Sequence, residues 1–283
     1  MARYDNNLVV IGAGSAGLIA AYIAATVKAR VTLIEQGAMG GDCLNTGCVP
    51  SKALIRAAAV AQQFRDAGRY GIDPVEPRVD FRQVMAHVRG AVDTIAPKDS
   101  MERYRSLGVN CIAGRAELLD PHHVAVDGQT VSARSIVLAT GASPLVPPIP
   151  GIDEVAALTS DSLWSLETLP DRLLVMGGGP IGCELAQAFA RLGSRVTLID
   201  MAPRLLPRED ADVSAHVAGV LEREGVDVRL GHEAVQFGAG ASPGAGTLTA
   251  RVDGGTTALD FDRVLVAVGR RPNTAGFGLE RLG

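Results

Sequence analysis

At 283 residues the chain has room for two domains of ordinary size, each with its own core. Thirty-three glycines, roughly 12% where about 7% is ordinary, stand beside 47% hydrophobic residues and point to tight backbone turns, not to a collagen-like or low-complexity chain. A net charge of -4 gives no electrostatic footprint for nucleic acid or anionic lipid, and neither a spanning apolar run nor a signal-peptide pattern is present, so a soluble cytoplasmic protein is expected.

In chain order, an apolar strand is predicted at Leu8 to Ile11, followed by Gly12, Gly14 and Gly17, a helical stretch to Lys28, and a strand from Val31 to Ile34 closing on Glu35. Helical patterns follow from Ser51 to about Arg65 and from about Phe81 to Leu107. Short strand-like runs come next, at Val109 to Ala113, Val124 to Val126 and Ile136 to Ala139. The Pro-rich segment from Ser143 to Gly151 breaks both patterns and is the candidate linker. The opening pattern then returns at an offset of 165 residues: strand Leu173 to Met176, glycines Gly177, Gly179 and Gly182, helix to Leu192, strand Val196 to Ile199 and an acid, Asp200. A helix from about Ala211 to Glu224, weak strands through Gly-rich turns and a strand from Val264 to Val268 complete the chain. This order predicts an α/β protein of two Rossmann-like, doubly wound dinucleotide-binding domains, at 1–148 and 149–270, with 271–283 beginning a return to the first.

A lone G-x-G-x-x-G is weak evidence, since any tight strand-to-helix turn favours glycine. Here each copy follows a strand, opens a helix and is trailed by an acid at the next strand end. The first glycine makes the turn, the second admits a pyrophosphate to the positive end of the helix dipole, and the third lets helix and strand pack closely. The acid accepts from ribose hydroxyls. Two fingerprints imply two dinucleotides. At the second site Asp200 would repel a 2′-phosphate and favours NADH, whereas Arg204 is a guanidinium able in principle to hold that phosphate.

Between the first unit and its following helix stands Gly40-Gly-Asp-Cys43-Leu-Asn-Thr-Gly-Cys48-Val-Pro-Ser-Lys52. Zinc wants four ligands, and no second cysteine pair or clustered histidine is near, so no metal site is assigned. A structural disulfide closing so short a loop stabilises little. A redox-active pair fits better, because Cys48 sits where a helix opened by Pro50 favours a thiolate. Cys111, in an apolar strand, and Cys183, on the second fingerprint helix, are expected to be buried core thiols.

These segments, in this order, resemble the flavin-dependent pyridine nucleotide-disulfide oxidoreductases, which include dihydrolipoamide dehydrogenase, mercuric reductase and glutathione reductase. The likeness rests on the Gly12 fingerprint, the GGDCLNTGCVPSK segment, the turn Ala139-Thr-Gly-Ala142, the Gly177 fingerprint and Gly269-Arg-Arg-Pro-Asn273. It implies FAD on the first fingerprint and NAD(P)H on the second, with Gly41, Asp42, Ala116, Thr140, Gly141 and Gly269 among the cofactor-binding positions. It implies electron flow from NAD(P)H to FAD to a Cys43–Cys48 disulfide and on to a small-molecule disulfide or dithiol. Cys48 would be the charge-transfer thiolate and Cys43 the interchange sulfur. Lys52 matches a lysine near flavin N5, and Glu184 its acidic partner, a pair that would join the two domains.

Members of that family run well past 400 residues and function as homodimers, so a truncated form lacking the C-terminal interface domain, with an incomplete FAD site and little turnover, is expected. None of His87, His122, His123, His216 or His232 sits in a His-Pro-Thr motif, and no catalytic base is assigned. Two alternatives stay open: a reductase of mercuric or another soft metal ion, which a thiolate pair also suits, and a non-catalytic nucleotide-binding fragment.

Overall fold

The computed structural model describes residues 4–282, so the first three residues and Gly283 of the spans drawn above lie outside the described residues. Strand β1 (Asn6–Ile11), helix α1 (Ser15–Thr26) and strand β2 (Val31–Glu35) form the first repeat, followed by a short helix α2 (Gly41–Asn45) and the long α3 (Cys48–Arg65). Helices α4 (Phe81–Ile95) and α5 (Met101–Ser106) then precede strands β3 (Asn110–Ala113), β4 (Ala116–Asp120), β5 (His123–Val126), β6 (Gln129–Leu138) and β7 (Ala142–Pro144). The second half carries β8 (Leu158–Thr159), β9 (Arg172–Met176), α6 (Pro180–Leu192), β10 (Arg195–Asp200), α7 (Ala211–Arg223) and β11 (Asp227–Leu230). It ends with β12 (Glu233–Ala239), β13 (Gly246–Val252), β14 (Gly255–Phe261), β15 (Arg263–Val266) and β16 (Arg270–Pro272).

The chain packs as two units, each of them discontinuous. The first takes the stretch up to Pro50, Arg89–Ser143 and the residues from Arg271 on; the second takes Ser51–Val88 and Pro144–Arg270. The division therefore falls at 143/144 instead of 148/149, and it assigns 51–88 to the second unit. Linear sequence does not reveal this, because α3 and the start of α4 find their packing partners among residues more than 100 positions away, as where Phe81 meets Phe189 with ring centroids 6.0 Å apart.

In the first unit a six-stranded sheet has the order β3-β2-β1-β6-β5-β4. Its β3, β2, β1 and β6 are parallel, whereas β4 and β5 fold on as antiparallel neighbours. Alternate residues of β1 serve opposite faces: Val10 packs with Leu18, Ala21 and Leu33, whereas Val9 and Ile11 pack with Leu118, Val124 and Val126. That two-sided burial is why the run reads as continuously apolar. The second unit holds a parallel five-stranded sheet, β11-β10-β9-β15-β8, and a three-stranded antiparallel sheet, β12-β13-β14. One core unites them, with Leu174, Met176 and Val264 of the first packed against Phe237, Leu248 and Phe261 of the second.

Two local expectations need correction. The single helix from Phe81 to Leu107 is broken, because the chain passes through a 3-10 turn at Ala96–Asp99 containing Pro97, and extended Ser100 then restarts helix by accepting from the Arg103 N–H at 3.1 Å. Strand β4 was not anticipated, since its alternation is only five residues long.

Asp262 gives a pH test of the second unit. Its carboxylate accepts from the backbone N–H and the guanidinium of Arg172, both at 2.8 Å, and this hydrogen bonding holds its pKa below the usual carboxylate range. A depressed folded pKa means stability that is present above the unfolded value near 4 and is lost as pH falls through the folded value. Asp262→Asn should flatten that acid-side slope, by less than about 1 kcal/mol since the pair is partly exposed, as read by urea unfolding between pH 3 and 6.

Candidate nucleotide turns and cysteine pair

The two glycine turns share one steric plan. Gly12 has φ +100°, and a Cβ there would stand 2.2 Å from the Ala139 carbonyl oxygen; Gly177 has φ +118°, with the Ala267 oxygen at 2.4 Å. A Cβ on Gly17 or Gly182 would lie 1.8 Å from the carbonyl oxygen of Gly12 or Gly177, so close packing of helix and strand forbids any side chain. Gly14 and Gly179 differ. Their φ values of -80° and -77° suit any residue, and a Cβ would meet only the Gly41 Cα at 3.8 Å in one case and nothing within 4 Å in the other. The fold does not require these two glycines. What they leave clear is the space before the N-termini of α1 and α6, where unsatisfied N–H groups favour an anion, so the residues present fit a dinucleotide pyrophosphate in both turns.

The two acids also correspond. One oxygen of Glu35 accepts from Ala13 N–H at 2.5 Å and the other from Gly37 N–H at 2.7 Å; Asp200 accepts from Gly178 N–H at 2.6 Å and Ala202 N–H at 2.7 Å. Each carboxylate thus pins its glycine turn, a structural role that the spacing alone did not reveal. Each oxygen keeps a further lone pair for a ribose hydroxyl. Arg204 donates to the Pro207 carbonyl at 2.9 Å.

Other sequence-selected positions fall into two groups. Thr140 and Gly141 close the far side of the first turn, where the Thr140 hydroxyl donates to the Asn273 carbonyl at 2.7 Å and Asn273 N–H donates to the Gly141 carbonyl at 3.0 Å. Asn273, which ends the Gly-Arg-Arg-Pro-Asn run, carried no assigned role in the sequence. Ala116 buries its side chain in the core at the head of β4, leaving only its backbone to offer. In the second unit Gly269 has φ +133° and accepts from Leu145 N–H at 2.9 Å.

The cysteine segment is built on the first turn. Gly40 N–H donates to the Ala13 carbonyl at 2.9 Å, and a Cβ on Gly41 would stand 2.5 Å from the Gly14 Cα, so the two backbones touch directly. Asn45 braces the bend by donating to the Met39 and Gly41 carbonyls at 3.0 and 2.8 Å, and Leu44 is buried beneath it. Cys43 lies on α2 and Cys48 is the first residue of α3. The hairpin between them is closed by Thr46 and Gly47 N–H groups on the Asp42 carbonyl, at 2.9 and 2.6 Å, with the Thr46 hydroxyl on the Asp42 carboxylate at 2.7 Å. The sulfurs meet: a hydrogen bond with the Cys48 side chain, then burial, raise the Cys43 pKa above the ordinary thiol range, partly opposed by a hydrogen bond from Ser15. Cys111 and Cys183 are buried, as expected; burial pushes the Cys183 thiol up to about 11.

Lys52 Nζ and the Glu184 carboxylate form an ion pair at 2.7 Å, with side chains 60% and 45% exposed. Both residues belong to the second unit, so the pair is internal to that unit and does not join the two. The reason is the packing of α3, which leaves the first unit after Pro50. Among the described residues no cluster of three or more His, Cys, Asp or Glu is arranged to hold a metal ion, and no helix is long and apolar enough to cross a membrane.

Residues 6–283 match the family model described as pyridine nucleotide-disulphide oxidoreductase. A mercuric reductase of Streptomyces lividans is 40% identical over 292 residues, covering 99% of this chain and 59% of its own. A dihydrolipoyl dehydrogenase of Thermus scotoductus is 36% identical over 285 residues, covering 100% of this chain and 60% of its own. Among solved structures, the HOCl-induced flavoprotein disulfide reductase RclA of Escherichia coli superposes with a TM-score of 0.83 at 32% identity, over 98% of this chain and 59% of that one. The chain thus spans about three fifths of the length of these relatives. With both glycine turns, the cysteine hairpin and the two parallel sheets accounted for, the chain belongs to the pyridine nucleotide-disulphide oxidoreductases.

Proposed function

We propose that this chain forms the dinucleotide-binding part of a flavin-dependent NAD(P)H:disulfide oxidoreductase of the dihydrolipoamide dehydrogenase kind. The observation that carries the reading is the contact between Cys43 and Cys48 in a hairpin seated on the first glycine turn. FAD on that turn would supply a two-electron carrier between nicotinamide and sulfur. The remaining chemistry belongs to the chain. Two electrons and two protons convert a Cys43–Cys48 disulfide into two thiols. The Cys43 thiolate then attacks a substrate disulfide, forming a mixed disulfide and releasing one substrate thiolate. Attack by the Cys48 thiolate on the Cys43 sulfur recloses the pair and releases the second. Lys52, held by Glu184, is assigned as a cation that stabilises negative charge on the reduced carrier. NADH is favoured over NADPH because the Asp200 carboxylate ends the second fingerprint and Arg204 is engaged by the Pro207 carbonyl. The thiol cycle suits a reducing, cytoplasmic setting.

The test is a thiol count. Air-oxidised protein supplied with FAD and then NADH should gain two alkylatable thiols, at Cys43 and Cys48 by peptide mass spectrometry, and none when NADH or FAD is omitted. No gain, with both nucleotides bound, would leave a nucleotide-binding module only. A second reading, reduction of a soft metal ion as substrate, is favoured by the mercuric reductase relatives and by an RclA structure described as a Cu(II) complex. NADH consumption driven by Hg(II) but not by lipoamide would select it.

A further inference from the structure

The backbone and side chain of Asn273 both face one turn. Its N–H donates to the Gly141 carbonyl at 3.0 Å, and its carbonyl accepts from the Thr140 hydroxyl at 2.7 Å. On the side chain, Nδ2 donates to the Thr140 carbonyl at 2.9 Å and Oδ1 accepts from the Ser143 hydroxyl at 2.9 Å. All of these residues belong to the first unit, although 130 or more positions separate Asn273 from the turn in sequence. The turn needs such a partner. Thr140 and Gly141 lie between β6 and β7, outside either strand, and Gly141 has φ +70°, so no strand pairing serves their carbonyls. The turn also abuts the first fingerprint: a Cβ on Gly12 would stand 2.2 Å from the Ala139 carbonyl oxygen and 3.4 Å from the Thr140 nitrogen. An ionised aspartate cannot donate to the Thr140 carbonyl and an alanine reaches neither partner, so an amide of this length is what joins both.

We propose that Asn273 is a positioning residue for the flavin nucleotide: its four hydrogen bonds clamp the 140–143 turn beside Gly12, so that the backbone at the first fingerprint is ordered before a dinucleotide arrives. Thr140 and Asn273 are only half-buried, so water can take over the bonds lost when the side chain is removed. The fold then survives, and what is lost is order in the turn. A dinucleotide binding there must restore that order, which lowers its apparent affinity. This consequence rests on the reading of the first turn as a FAD site, whereas the clamp itself can be measured without flavin or turnover.

The experiment is amide hydrogen exchange by mass spectrometry on flavin-free protein, with FAD binding followed in parallel by quenching of flavin fluorescence. In Asn273→Ala, peptides covering 139–143 and 271–275 should exchange about five- to a hundredfold faster, the range expected from losing two hydrogen bonds between neutral groups, while peptides of α6 keep the parent rate. FAD should bind the folded variant at least about threefold more weakly. Asn273→Asp should match or exceed Asn273→Ala, since it turns a carboxylate oxygen toward the Thr140 carbonyl. Should Asn273→Ala fail to accumulate, Ser143→Ala removes one of the two side-chain bonds and should speed the same peptides about two- to tenfold. Parent-like exchange in these variants overturns the clamp. Faster exchange with unchanged FAD affinity overturns the positioning role and leaves Asn273 a structural residue of the turn. A parent that binds no FAD would sink the FAD reading, and the exchange rates would still decide the clamp.

Discussion

Gly182→Ala should cost the second unit about 3 to 5 kcal/mol or prevent its folding, whereas Gly179→Ala, three residues earlier, should leave stability within about 1 kcal/mol of the parent and still weaken nucleotide binding. The contrast follows from where each new methyl group goes. At Gly182 it would lie 1.8 Å from the Gly177 carbonyl oxygen, a backbone atom that cannot yield without moving β9 or α6. At Gly179 it enters open space on an ordinary backbone conformation. That space is where the proposed pyrophosphate approaches the α6 N-terminus. Displacing one or two charge-assisted hydrogen bonds, each worth about 1.5 to 3 kcal/mol, corresponds to roughly a ten- to hundredfold or greater loss of affinity. Urea unfolding and NADH fluorescence titration separate the two effects. Undiminished NADH binding by Gly179→Ala would mean that the open glycine serves no ligand.

Asp200→Asn is expected to act on both quantities at once. The carboxylate accepts one backbone N–H on each oxygen, from Gly178 and Ala202, and an amide has only one such oxygen. One N–H must then face an NH2 group, a mismatch costing about 1 to 3 kcal/mol of stability. The same change removes an acceptor for the adenosine ribose, so NADH affinity should fall at least about tenfold and discrimination against NADPH should narrow. Retained discrimination in a destabilised variant would make Asp200 a turn-holding residue only.

What could be read from sequence divides along physical lines. Gly12 and Gly17 were legible because their requirements are local: a positive φ and a forbidden Cβ admit one residue type, and the same demand at Gly177 and Gly182 produced a visible repeat. The cysteine hairpin was legible for its spacing. Its keying to Gly14 through Gly41 was not, since this depends on a contact between segments 27 residues apart. The break in the helix at Pro97 and Ser100 was carried by residues in plain view but masked by an apolar pattern that continues through it. The placement of 51–88 in the second unit had no local signature at all. It arises from packing such as Phe81 on Phe189 and the donation from Arg65 to the Arg191 carbonyl at 2.7 Å.

The clasp at the end of the chain bears on biosynthesis. Leu118 N–H donates to the Phe277 carbonyl at 2.7 Å, and Phe277 is buried among Ala116, Leu118, Val124 and Val126. The stretch of the second unit described above ends at Arg270, and the first lacks this hydrophobic plug until several codons later. A nascent polypeptide leaving the ribosome therefore presents these second-unit residues before Phe277. Until Phe277 emerges, Ala116, Leu118, Val124 and Val126 lack one of their packing partners, a window in which chaperone binding would have its largest effect on yield.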